Sequence, residues 1–140
     1  MSTAIQMSIM SRSKTILVVD DDVGILRMAR EALTAMDCVV DTTPSPEYAF
    51  ELVLKKPYDL LIFDLTMPEL SGATLYSLIR TLFRVALPDD RTLPPMILMS
   101  GAAANRRAQE LLHEPGVRTF IPKPFTIERF SKTVAQVLAT

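Results

Sequence analysis

Five short apolar runs are distributed along the chain, and they restrict its possible folds more than any other feature of the sequence. Each run is too short for a helix and consists mainly of β-branched or long aliphatic residues, which suit a strand buried in a sheet. Apolar residues between the runs, such as Ile25, Met28 and Ala32, follow the spacing of one buried helix face. The predicted strands are Thr15–Val19, Val39–Thr42, Leu60–Phe63, Met96–Met99 and Thr119–Ile121.

Helices are predicted between and after these strands, and several of them have recognisable start signals. Asp22 and Ser45 suit N-cap positions, Pro46 suits a first helical turn, and Thr126 opens the last helix. Strand and helix therefore alternate five times, which predicts an α/β fold with a parallel sheet and helices on both faces. Right-handed crossovers favour a doubly wound, five-stranded (βα)5 sheet of the flavodoxin-like type, with strand order 2-1-3-4-5. The predicted helices run from Ile25 to about Met36, from Pro46 to Lys55, from Gly72 to Leu82, from Ala103 to about His113, and from Thr126 onward.

Composition argues against several classes of function. The 140 residues suffice for one domain, and 15 Lys and Arg against 16 Asp and Glu predict no nucleic-acid-binding surface. A single cysteine and a single histidine exclude an intramolecular disulfide and disfavour a transition-metal site. No apolar segment has the length of a membrane helix, so we expect a cytoplasmic protein that does not bind membranes. Residues 1–13 are expected to form a mobile tail, and residues 14–140 the domain.

Polar residues follow the predicted strands at the point where each strand ends. Because the carboxyl ends of parallel strands meet at one edge of the sheet, we expect these side chains to lie close together. Several carboxylates at one edge repel one another, and a hard cation such as Mg²⁺ relieves that repulsion. A carboxylate beside a cation and an ammonium group is suited to accept a phosphoryl group, so we interpret Asp64 as a nucleophile. The residues at these ends are Asp20, Asp21, Asp22, Asp64, Ser100 and Lys123.

Four segments in order carry a resemblance to a known family. The chain resembles the receiver domain of two-component response regulators (CheY-like) from Lys14 to Ala139, with the four matching segments at the predicted strand ends. Each segment alone is a weak signal, and their order and spacing make the combination specific. The segments are Ile16–Asp22, Asp64–Gly72, Met99–Gly101 and Phe120–Phe125.

The resemblance implies a role for each matching residue. Asp64 would be the phosphoacceptor, Asp21 would bind Mg²⁺ (or Mn²⁺) directly, and Asp20 would bind it mainly through water. The main-chain carbonyl of Thr66 would be a further ligand, and Lys123 would contact a phosphoryl oxygen.

The resemblance also implies a switch. The Ser100 hydroxyl would move toward the phosphoryl group, and Phe120 would turn inward to fill the space left behind. The change would be read on the face formed by the fourth predicted helix, the fifth strand and the fifth predicted helix. Phe120 stands where the family often has Tyr, so we expect a stronger preference for the buried position. Gly101 replaces a more usual Ala, which should loosen the following loop, and the Lys123–Pro124 bond is expected to be cis.

The implied function is that of a switch that catalyses its own phosphorylation and slow dephosphorylation, not of a dedicated enzyme. Its partners would be a sensor histidine kinase or a histidine phosphotransfer protein, and a downstream target protein or an output domain. Two alternatives remain open. A degenerate receiver could act only as a docking module, or a phosphohydrolase of the haloacid-dehalogenase type could use Asp20 as nucleophile and Asp22 as general acid.

Overall fold

The fold is a five-stranded parallel sheet with helices on both faces. The computed structural model describes residues 13–65, 74, 77, 78, 81, 94–101, 105–114 and 116–140. The strands are β1 (Thr15–Val19), β2 (Val39–Thr43), β3 (Leu60–Asp64), β4 (Met96–Ser100) and β5 (Val117–Pro122). The helices with defined bounds are α1 (Val23–Ala35), α2 (Pro46–Lys55), α3 (Asn105–Leu111) and α4 (Ile127–Leu138).

The sheet has the order β2-β1-β3-β4-β5, and all four strand pairs are parallel. The predicted fold class and strand order are therefore confirmed. Strand β5 is longer than predicted, because its pairing with β4 begins at Val117 and passes a register shift before Thr119. Pro122 ends this strand at the edge of the sheet, where the missing backbone donor costs least.

Several other predictions concern helices. Residues 74, 77, 78 and 81 are helical, and the rest of the predicted third helix lies outside the described residues. Helix α1 begins at Val23, earlier than the apolar spacing suggests, because Asp22 caps it by accepting hydrogen bonds from the backbone of Gly24 and Ile25.

The predicted N-terminal tail, except Ser13, lies outside the described residues. None of the described helices is long and apolar enough to cross a membrane.

The core has two layers, one on each face of the sheet. Alternate residues of β1 point to opposite faces, so that Ile16 packs with α1 and α4 while Leu17 packs with α2 and α3. The three central strands β1, β3 and β4 have almost no exposed side chain. This burial on both faces fixes the carboxyl ends of these strands, and so fixes the positions of the residues located there.

Helix α1 ends in a left-handed turn at an unusual residue. Cys38 donates its backbone N–H to the Leu33 carbonyl at 3.1 Å, and Asp37 donates to Thr34 at 3.0 Å, which is the Schellman arrangement. Asp37 has a φ of 61°, a conformation that glycine adopts without a steric penalty. Its carboxylate also lies at the negative end of the helix dipole. Asp37 therefore combines an unfavourable backbone conformation with an unfavourable charge.

Replacing Asp37 with glycine is expected to raise the free energy of unfolding by about 1 kcal/mol, because both penalties are removed. Asp37→Asn should raise the free energy of unfolding by roughly half as much, because it removes the charge but keeps a side chain at the positive-φ position. Urea denaturation of the three proteins measures these differences. A glycine variant no more stable than the original protein would contradict this account of the turn.

Candidate functional site

Three carboxylates lie together at the carboxyl ends of β1 and β3. These strands are neighbours with Val19 paired to Phe63, so the residues that come next, Asp20 and Asp64, lie side by side. Asp20 and Asp64 are buried, whereas Asp21 is exposed. One carboxylate oxygen from each of the three lies within 4.8 Å of the others. The structure thus brings together the three acids that the sequence analysis selected.

Asp20 is held by one hydrogen bond to each carboxylate oxygen. The backbone N–H of Asp22 donates to Oδ1 at 2.9 Å, and the Lys123 ammonium donates to Oδ2 at 2.9 Å. Burial raises the pKa of Asp20 to about 6, and the nearby charge of Asp64 adds to that effect while the two hydrogen bonds oppose it. Asp20 is therefore a carboxylate that holds a proton more tightly than an ordinary aspartate.

Lys123 supplies positive charge to this cluster. Its Nζ lies 2.9 Å from Asp20 Oδ2 and 3.3 Å from Asp64 Oδ2. Its backbone N–H donates to the Ser100 carbonyl at 2.6 Å, which ties the end of β5 to the end of β4. Burial lowers the pKa of Lys123, but the hydrogen bond and charge of Asp20, together with Asp64, outweigh it and raise the pKa. The Lys123–Pro124 bond is cis, as the resemblance implied.

The chemistry of this cluster fits a hard divalent cation. Three carboxylates formally carry three negative charges, and Lys123 lies between two of them with a single positive charge. Oxygen donors in this number are the ligands that Mg²⁺ and Mn²⁺ prefer in proteins. Asp20, Asp21 and Asp64 could hold such an ion. Thr66, whose carbonyl was expected to be a further ligand, lies outside the described residues.

The residues expected to form a switch lie at the neighbouring strand ends. Ser100 is buried at the end of β4, one residue beyond the partner of Asp64 in the sheet. Phe120 pairs with Leu98 and packs against the core on the α2 and α3 face, but it is only half-buried. The expected stronger preference of Phe120 for the buried position, compared with a tyrosine, stays a prediction. A Cβ atom at Gly101 would meet nothing within 4 Å, and the loop after it lies mostly outside the described residues.

The sequence pattern of the response regulator receiver domain matches residues 16–135. The chain belongs to this family. Among solved structures, a receiver domain protein from Clostridium thermocellum superposes with a TM-score of 0.75 at 23% identity, covering 90% of this chain and 94% of that one. A putative response regulator from Chloroflexus aurantiacus has a TM-score of 0.75 at 26% identity, covering 92% of this chain and all of that one. The two-component receiver predicted from the motifs is therefore confirmed at the level of family and fold.

Three relatives that resemble this chain in sequence are longer proteins. The Saccharomyces cerevisiae transcription factor Skn7 is 31% identical over 111 residues, which are 79% of this chain and 16% of that protein. The Staphylococcus epidermidis response regulator ArlR is 28% identical over 88% of this chain and 52% of its own length. The Shigella flexneri histidine-protein kinase BarA is 29% identical over 82% of this chain and 12% of its length. The receiver thus spans at most about half the length of these relatives.

Two contacts of the receiver site were not predicted from sequence. The Lys123 ammonium lies nearer to Asp20 than to Asp64, and the Phe125 ring stacks on Phe130 of α4. An aromatic residue directly after the Lys-Pro pair was the available signal for the stack. Its partner could not be chosen without knowing where α4 packs.

The buried Asp20 predicts how the stability of the metal-free receiver depends on pH. Because its pKa rises from 3.8 to about 6 on folding, the folded protein binds this proton more tightly than the unfolded chain. The resulting stabilisation is complete below pH 3.8 and is lost as the pH rises through about 6. The loss should amount to ~3 kcal/mol.

Other carboxylates also titrate in this range, so the measurement is a difference between two proteins. Urea denaturation in EDTA should show the original protein losing stability relative to Asp20→Asn as the pH rises from 4 to 7. The difference should be constant above pH 7, where Asp20 is ionised in both states. A difference that does not change with pH would contradict a raised pKa at Asp20.

Proposed function

We propose that this receiver accepts a phosphoryl group on Asp64 in a Mg²⁺-dependent reaction of a two-component phosphorelay. The observation that carries the proposal is the Lys123 ammonium, which lies within 3.3 Å of the carboxylates of both Asp20 and Asp64 at a buried sheet edge. An ammonium in this position can neutralise phosphoryl oxygens while the Asp64 carboxylate approaches phosphorus. Supporting this, Asp20 and Asp21 add the oxygen donors of a cation site.

The proposed transfer exchanges one bond for another. A carboxylate oxygen of Asp64 forms a bond to phosphorus while the bond from phosphorus to the imidazole nitrogen of a phosphohistidine breaks. The bonding electrons leave with that nitrogen, which takes up a proton. Lys123 pairs with the transferred phosphoryl oxygens, and Asp20 and Asp21 provide negative charge for metal binding. Mg²⁺ or Mn²⁺, when bound, would supply further positive charge to the phosphoryl oxygens.

The partner that supplies the phosphoryl group would be a sensor histidine kinase or a histidine phosphotransfer protein in the cytoplasm. The charged product at Asp64 would draw the Ser100 hydroxyl toward it and bias Phe120 between two positions. The readout would be binding of a downstream protein or output domain to the face formed by α3, β5 and α4, which correspond to the fourth predicted helix, the fifth strand and the fifth predicted helix. Slow hydrolysis of the aspartyl-phosphate would reset the switch.

The phosphohydrolase alternative is disfavoured by the local contacts of its two acids. Asp22 Oδ1 accepts hydrogen bonds from Gly24 at 2.8 Å and Ile25 at 3.3 Å, so this carboxylate is used as a helix cap. Asp20 is fully buried and bonded on both oxygens. These contacts compete with the roles of general acid and nucleophile that the alternative assigns to Asp22 and Asp20.

Incubation with acetyl phosphate and MgCl₂ tests the proposal. Intact mass spectrometry should show one added phosphoryl group, which EDTA prevents and neutral hydroxylamine removes, as expected for an acyl phosphate. Beryllofluoride, which mimics a phosphoryl group on a carboxylate, should bind only in the presence of Mg²⁺. If neither labelling nor beryllofluoride binding occurs, the proposed function is wrong and the docking-module alternative is favoured.

A further inference from the structure

The segment that carries the lysine of the site is held at two points. At one end, the Lys123 N–H donates to the Ser100 carbonyl at 2.6 Å. At the other end, the Phe125 ring stacks on Phe130, with ring centroids 5.7 Å apart and an interplanar angle of 19°. Phe130 is fully buried in the core layer shared by α1 and α4. The ring of Phe125 thus joins the loop to a rigid part of the molecule.

The same loop also borders an open groove. The groove has a volume of about 570 Å³ and runs between α1 and the loop, with Ile25, Met28, Pro124 and Phe125 among its lining residues. Phe125 is half-buried and Pro124 is exposed. Phe125 is thus partly open to the groove, and its ring is held by the stack on Phe130 and by packing against the same core layer.

We propose that Phe125 is a positioning residue for Lys123. Its stack on Phe130 holds the backbone after the lysine, and so keeps the ammonium between Asp20 Oδ2 and Asp64 Oδ2. In this role Phe125 itself takes no part in bond formation. The expected effect of Phe125 on phosphorylation rests on the proposed function. Its expected effect on Mg²⁺ binding does not.

Displacement of the Lys123 ammonium from the two carboxylates should change Mg²⁺ binding and phosphoryl labelling in opposite directions. The ammonium competes with a metal ion for the Asp20 and Asp64 carboxylates, so its displacement should increase the affinity for Mg²⁺. The same displacement removes positive charge from the phosphoryl oxygens and should slow labelling of Asp64. Phe125→Ala is therefore expected to raise Mg²⁺ affinity and lower the labelling rate, each by about two- to tenfold. General destabilisation of the fold would weaken both.

The experiment measures Mg²⁺ binding by calorimetry and labelling by acetyl phosphate in four proteins. These are the original protein, Phe125→Ala, Phe125→Tyr and Val134→Ala. Phe125→Tyr retains a ring that can stack and should behave as the original protein. Val134→Ala truncates a buried residue of the same helix α4 and controls for lost packing. Urea denaturation reports how far each variant is destabilised.

A second pair of variants tests whether Phe125 acts through the lysine. In a Lys123→Met background, adding Phe125→Ala should change neither Mg²⁺ affinity nor labelling rate, because the group it positions is gone. Unchanged values in the single variant, a fall in both, or the same effect with and without Lys123 would overturn the proposal. If the original protein binds Mg²⁺ but is not labelled, the proposed function fails, and the metal-affinity comparison still decides the role of Phe125.

Discussion

Replacing Asp64 with asparagine is expected to reduce phosphoryl labelling to background. The amide lacks the anionic oxygen that attacks phosphorus, and Asp64 is the buried acid at the end of the central strand β3. Mass spectrometry after incubation with acetyl phosphate and MgCl₂ measures this loss. The variant should remain folded, because removing one of the two buried carboxylates of the cluster relieves repulsion in the metal-free protein.

Asp59→Asn is the matched control for this substitution. Asp59 immediately precedes β3 at the opposite end of the strand, where its carboxylate accepts a hydrogen bond from the Thr15 N–H at 2.8 Å. Labelling of this variant should equal that of the original protein. If Asp64→Asn were labelled normally, the nucleophile would lie elsewhere, and Asp20→Asn would then test the phosphohydrolase alternative.

Replacing Lys123 with methionine is expected to change metal binding and labelling in opposite directions. Loss of the ammonium removes a competing cation 2.9 Å from Asp20 and 3.3 Å from Asp64, so Mg²⁺ affinity should rise on the order of tenfold. Labelling should fall by about a hundredfold, because one electrostatic contact to the transferring group is lost. Calorimetry and the rate of mass increase with acetyl phosphate measure the two effects.

Lys56→Met makes the same substitution in an ion pair away from the site. Lys56 pairs with Asp41 at 2.8 Å, beside the hydroxyl of Tyr58, and none of these residues belongs to the carboxylate cluster. This variant should leave Mg²⁺ affinity and labelling unchanged. If Mg²⁺ affinity fell in Lys123→Met, the lysine would be supporting the carboxylates and not competing for them.

The acidic residues of the candidate site could be predicted from the sequence, because their placement depends on short-range patterns. An apolar run buried on both faces must end where a carboxylate begins, and parallel strands carry their carboxyl ends to one edge. Asp20 and Asp64 therefore meet once β1 and β3 are neighbours. The same reasoning located the N-caps at Asp22, Ser45 and Thr126, since each cap bonds a backbone N–H within a few residues.

The partners of individual side chains were decided only by the tertiary structure. Lys123 and Asp20 are separated by 103 residues, and their 2.9 Å contact depends on the position of β5 across two intervening strands. The half-burial of Phe120 follows from the edge position of β5, and the stack of Phe125 on Phe130 from the packing of α4 against α1. Local sequence determines which segments form strands and helices and which residues end them. Contacts between distant segments depend on register and packing, to which residues far apart in the chain all contribute.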